Sequence, residues 1–205
     1  MNNSNKTFSK RALLRQFARR NTLKTVFGYL LTLLRGGFPA TLQRKNLRGI
    51  YNYLPLSETL ATSGQPTEKQ FARIIDAGYK TIVNLAPANA ENALADEAAL
   101  LESLGARYIH IPVDFNKPTE QDFQRFVASI ERHSGEKLWV HCAANMRVSA
   151  FLYRYRCEIN GEDPFLAARD LDKIWTPFGV WKKFIRAGDQ DTIPVHNDRS
   201  RRTPN

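Results

Sequence analysis

Apolar residues along the chain change their spacing several times, and each change marks a predicted element. Short runs rich in β-branched and aromatic residues, bounded by turn formers, read as strands near Tyr51–Leu56, Leu60–Thr62, Lys80–Leu85, Arg107–Val113 and 138–142. Between them apolar positions recur at the helical period. Those stretches predict a helix opening at Pro66-Thr67 and ending at Gly78, and another over Asn92–Leu104. Further helices are predicted from Pro118-Thr119 to about His133, over 147–160, over Pro164–Trp175 and over Pro177–Ala187. Thr67 with Gln70, and Thr119 with Asp122, have the spacing of capping boxes. Strands alternating with helices predict an α/β fold, a three-layer sandwich with a largely parallel central sheet flanked by helices.

At 205 residues and 42% hydrophobic, the chain can bury the core of one domain and carry an extension. The pattern divides it into a basic N-terminal extension and linker (1–49), a folded domain (50–187) and a polar C-terminal tail (188–205). No group of His, Cys, Asp and Glu has metal-ligand spacing and no nucleotide fingerprint appears, so no cofactor is expected. Cys142 and Cys157 are the two cysteines and form no regular framework, which predicts free thiols and a reducing, cytoplasmic setting. A monomer is expected.

The net charge of +10 is unevenly placed. Met1 to Ser57 holds eleven Lys and Arg and no acidic residue, whereas the remainder has nineteen basic and twenty acidic residues. The domain is therefore near neutral and the basicity belongs to the arm. From Arg11 to Arg35 the arm is basic and amphipathic, and its densest apolar run, Thr25 to Leu34, is shorter than the ~20 residues a bilayer span needs. Three readings of it stand side by side. One is a helix lying on an anionic membrane surface through residues 11–35. Another is a helix packed on the domain. The third is an export or organellar targeting segment within residues 1–40, because Arg19-Arg20 precedes an apolar run and acids are missing. Nothing else in the chain supports nucleic-acid binding, and none is expected.

The chemistry concentrates in Leu138-Trp139-Val140-His141-Cys142-Ala143-Ala144-Asn145-Met146-Arg147-Val148-Ser149. An apolar run followed by helical spacing reads as a buried strand, a tight loop and a helix start. Loop amides and a helix's first turn converge on one point and attract an anion. Cys142 stands there between His141 and Arg147, so one segment offers a nucleophile, an anion cradle and a guanidinium for bidentate phosphate contact.

His141-Cys142 followed by Arg147 and Ser149 resembles the active-site loop of the cysteine-dependent protein tyrosine and dual-specificity phosphatases. Thr62-Ser63-Gly64-Gln65-Pro66-Thr67 and Gly78-Tyr79-Lys80-Thr81-Ile82-Val83-Asn84-Leu85 are similar to one bacterial branch. That branch comprises phosphatase-like domains related to beta-lactamase-hydrolase-like proteins and to NAD kinase fusions. The resemblance covers about residues 50–186. It implies that Cys142 attacks phosphorus and that Ala143, Ala144, Asn145, Met146, Arg147 and His141 surround the phosphate. It also implies that Ser149 serves the departing thiolate and that Asp114, in the loop after a strand, protonates the leaving oxygen. The implied substrate is a phosphorylated protein or a small phosphate ester.

The loop departs from the family pattern of Cys-x5-Arg. Arg147 comes one residue early, Val148 occupies the usual Arg position, and Asn145 stands for Gly, as a residue that tolerates left-handed backbone. Cys-x4-Arg is the loop length of rhodanese-type sulfurtransferases. A sulfurtransferase using a Cys142 persulfide, and an anion-binding module with little turnover, are therefore the alternative expectations. His110, Trp175 and Trp181 are expected to be structural.

Overall fold

A computed structural model of the chain describes residues 20–31 and 47–187. The expected disposition of residues 1–19, 32–46 and 188–205, including most of the linker and the whole tail, lies outside the described residues.

Residues 20–31 form a helix, α1, and Leu47–Gly49 a 3-10 turn. The domain then runs β1 (Leu54–Pro55), β2 (Leu60–Ser63), α2 (Glu68–Asp76), β3 (Thr81–Asn84), α3 (Glu97–Ser103), β4 (Arg107–His110), α4 (Glu120–Arg132) and β5 (Leu138–His141). It ends with α5 (Met146–Arg154), a π turn at Tyr155–Ile159, α6 (Pro164–Ile174) and α7 (Val180–Phe184). The strands form one sheet in the order β1-β2-β5-β3-β4, parallel except for the edge pair of β1 with β2. This is the α/β sandwich that the strand–helix alternation predicts.

β5 is buried along its whole length because it lies between β2 and β3, where both faces are covered. Its side chains alternate with period two. Trp139, with Ile82 of β3, joins Phe71 and Ile74 of α2 and Leu101 of α3 in the core on one face. Val140, with Val83, joins Phe123 and Phe126 of α4, Phe151 of α5 and the Trp175, Trp181 and Phe184 cluster on the other. A central strand with two dry faces holds its carboxyl end rigidly, and Cys142 is the next residue.

The caps form as their spacing predicts. Gln70 Oε1 accepts from the Thr67 amide at 2.9 Å, and Thr119 and Asp122 bind each other's backbone amides at 3.1 Å. Several boundaries move. The helix expected over Asn92–Leu104 begins only at Glu97, because Asp96 caps it and Asn92 turns its amide to Ala143. The helix expected over 147–160 widens near its end, where the Asn160 amide reaches back to Tyr155 O, five residues away. The helix expected over Pro177–Ala187 is only Val180–Phe184, preceded by Gly179 at φ 54°.

α1 rests on the domain by its polar side. Asn21 Nδ2 donates to Asp172 O at 3.0 Å, Thr25 Oγ1 donates to Ile174 O at 2.6 Å, and Thr22 Oγ1 accepts from the Thr176 amide at 2.6 Å. The Tyr51 hydroxyl donates to Thr25 O. No described helix is long and apolar enough to cross a membrane.

Candidate active site

The four parallel strands end on one side of the sheet, and the connections leaving them there build an open cleft of about 810 Å³. Its wall is the segment after β5. Cys142 is 1% exposed, and its amide donates to Ser63 O on the neighbouring strand at 3.4 Å. Ala143 O accepts from the Gln65 amide at 3.2 Å and from Asn92 Nδ2 at 3.1 Å, and Ala144 O accepts from Asn52 Nδ2 at 3.0 Å. These donors take up the loop's acceptor oxygens, whose dipoles would otherwise oppose an anion.

Asn145 turns the chain into α5. It sits in the left-handed region at φ 64°, fully buried, and its Nδ2 donates to Asn52 O at 2.8 Å and to Thr62 Oγ1 at 2.9 Å. α5 starts at the next residue, so the first-turn amides and the positive end of its dipole face the loop. Arg147 is the second residue of that helix. Its guanidinium lies 5.2 Å from the centre of the Phe115 ring, and its Nε has no hydrogen-bond partner among the described residues.

Cys142, Ala143, Ala144, Met146, Arg147 and Asp114 all line the cleft. Asp114 is exposed, and one of its oxygens accepts from the Asn116 amide at 2.8 Å, which closes its own loop as an Asx turn. His141, Asn145 and Ser149 are not in the lining. Ser149 points into the protein, where its hydroxyl donates to Met146 O and accepts from Trp175 Nε1, both at 3.1 Å. That hydroxyl is committed to the α5–α6 packing rather than to the Cys142 sulfur.

His141 stands directly behind the cysteine. Its Nε2 lies 3.0 Å from Glu97 Oε1 with both side chains buried, and Glu97 also accepts from Gln65 Nε2 at 2.5 Å and Asn84 Nδ2 at 3.0 Å. Burial alone would push the Glu97 carboxyl up. The adjacent His141, with the hydrogen bonds of Gln65 and Tyr108, outweighs it and holds the carboxyl below its ordinary range.

Several lining residues escape sequence reasoning. Glu91 stands just before the stretch that reads as a helix from Asn92, and Tyr29 comes from α1, outside the domain's own strand ends. Glu91's placement after a strand's carboxyl end is the signal that could have found it. Burial, and then the charge of Glu91, raise the Tyr29 phenol, with Arg147 opposing. No group of His, Cys, Asp and Glu among the described residues is arranged to hold a metal ion.

A family model described as DSP-PTPase phosphatase fused to NAD+ kinase matches residues 53–173. Beta-lactamase hydrolase-like proteins of two Xylella fastidiosa strains are 35% identical over 109 residues, which is 52% of this chain. The match spans only 25% of the length of these curated relatives. Among solved structures, a candidate phosphatase (DUF442) from Shewanella putrefaciens CN-32 superposes with a TM-score of 0.64 at 29% identity, over 71% of this chain and 95% of that one. TpbA of P. aeruginosa, solved with phosphotyrosine, shares the fold with a TM-score of 0.55 at 18% identity, over 69% of this chain and 86% of that one. The family match takes in more than half of the sequence, from β1 to the last turn of α6, and the chain belongs to the DSP-PTPase phosphatase family named for its fusion to NAD+ kinase.

Proposed function

We propose that the chain hydrolyses phosphate monoesters through a cysteinyl-phosphate, as a tyrosine or dual-specificity phosphatase. One observation carries the reading: Cys142 and Arg147 open into the same cleft from the two ends of a four-residue loop, and Arg147 Nε has no protein partner among the described residues. A phosphate in that cradle would meet loop amides, the end of α5 and the guanidinium together.

In the first step the Cys142 thiolate forms a bond to phosphorus as the P–O bond to the leaving group breaks. Asp114, on the cleft wall, gives its proton to the departing oxygen. In the second step water attacks the phosphorus, Asp114 takes a proton from it, and the sulfur leaves as thiolate. The substrate is a phosphorylated protein side chain or a small phosphate ester. Neither Cys142 nor Cys157 is in a disulfide, which suits a cytoplasmic setting.

Hydrolysis of an aryl phosphate by the full-length chain tests this. Cys142→Ser is expected to abolish turnover and to keep anion binding. Undiminished turnover in that variant rules out the covalent mechanism.

The four-residue spacing favours one other reading, sulfur transfer. There the Cys142 thiolate takes the outer sulfur of thiosulfate, the S–S bond breaks, and sulfite leaves. Intact mass after thiosulfate treatment separates the two: one added sulfur at Cys142 supports transfer, and an unchanged mass beside measurable phosphatase turnover removes it.

A further inference from the structure

α1 is mounted back to front for a helix that merely covers a core. Asn21, Thr22, Thr25 and Tyr29 face the domain, and Thr25 is buried there. Leu23, Phe27 and Leu30 follow the i, i+4, i+7 spacing on the opposite side and are 72%, 64% and 50% exposed. An amphipathic helix ordinarily turns such a stripe inward. Here the inward hydrogen bonds keep it turned outward.

Two further observations say what meets the stripe. Exposed Val26 and Phe178 continue the apolar surface and also line the cleft, so the apolar face runs to the lip of the pocket that holds Cys142 and Arg147. On α1 itself the charge has one sign, since Arg20 and Lys24 are both exposed, and the sequence from Met1 to Ser57 holds eleven basic residues and no acidic one. A second copy of this chain would bring the same charge against itself. A surface that combines apolar depth with negative charge complements both features, and an anionic bilayer is such a surface.

We infer that the outward face of α1 docks on an anionic lipid bilayer and sets the mouth of the cleft at the head-group layer, so that the phosphomonoesters the site takes are those carried at a membrane surface. The substrate clause rests on the phosphatase reading; the docking does not. The stripe supplies binding that salt does not screen, and Arg20, Lys24 and the rest of the arm supply the part that salt weakens within a Debye length of ~8 Å.

The test uses the full-length chain and vesicles of phosphatidylcholine with or without phosphatidylglycerol. Binding is read by co-sedimentation without turnover, so a failed phosphatase assay leaves this result standing. The wild type should bind the anionic vesicles and release as salt rises. Phe27→Ser with Leu30→Ser should weaken binding at least about tenfold while melting temperature and aryl-phosphate turnover stay unchanged, because both side chains are at least half exposed and neither lines the cleft. Arg20→Glu with Lys24→Glu should reduce the salt-sensitive part and leave the salt-insensitive part as in wild type. Wild type that ignores anionic vesicles, or Ser variants that bind as well as wild type, overturns the inference. So does a wild-type dimer in solution, lost in Phe27→Ser, without vesicle binding.

Discussion

Glu97 Oε1 lies 3.0 Å from His141 Nε2, a buried carboxylate–imidazole contact set directly behind Cys142. It ties the start of α3 to the end of the central strand, so the residue before the cysteine cannot move independently of the helix layer. Glu97→Ala would leave His141, Gln65 and Asn84 facing an absent acceptor, and a cost of about 3–5 kcal/mol in unfolding free energy is expected. Urea denaturation at neutral pH measures it.

The same pair makes stability depend on pH with a defined sign. The native Glu97 carboxyl is held below its ordinary range, so the unfolded chain binds the proton first. Its stabilising contribution is present above the ordinary carboxylate range and is lost as pH falls through the depressed native value. Wild type and Glu97→Gln should differ at neutral pH and converge in acid. A difference that grows on acidification would contradict this.

Asn145 does two separable things, and two substitutions divide them. Asn145→Gly keeps the left-handed backbone and loses the hydrogen bonds to Asn52 and Thr62, whereas Asn145→Ala loses both. Alanine should therefore be the worse of the two by about 1–2 kcal/mol in chemical denaturation. Equal costs would mean that the amide contacts alone hold the loop.

Arg147→Ala should lower kcat/KM on an aryl phosphate by about 10²–10³, the scale of losing one preorganised oxyanion donor. Lysine should recover only part, since it cannot offer a planar fork. Full activity in the alanine variant would remove Arg147 from the site.

Thr25 is the buried anchor of α1, bonded to Ile174 O and approached by Tyr51 and Asn52. Thr25→Val keeps the shape and deletes the hydroxyl. Amide exchange across residues 20–31 should accelerate, while exchange in β5 stays as in wild type.

What was legible in the sequence follows from locality. Trp139, Val140 and Ile82 announce buried strands because their alternation and β-branching act over neighbouring residues, and the capping of α4 by Thr119 and Asp122 is complete within four positions. Cys142 and Arg147 were readable because one short segment contains both. The Ser149 hydroxyl was misplaced because its partner Trp175 is twenty-six residues away, and that contact exists only once α5 packs on α6. Tyr29 was beyond reach for the same reason. The sequence pattern of α1 shows an apolar stripe but not which side meets the domain, and the hydrogen bonds of Asn21, Thr22 and Thr25 decide that.

The phosphoryl acceptor itself is the most direct test of the account. Full-length protein mixed with an aryl phosphate, quenched within a turnover and digested should yield the peptide containing Cys142 carrying one phosphoryl group on sulfur. That peptide should be unmodified in Cys142→Ser, and the peptide containing Cys157 should be unmodified throughout. Turnover with no phosphorylated Cys142 at any quench time, together with activity that survives Cys142→Ser, would contradict it.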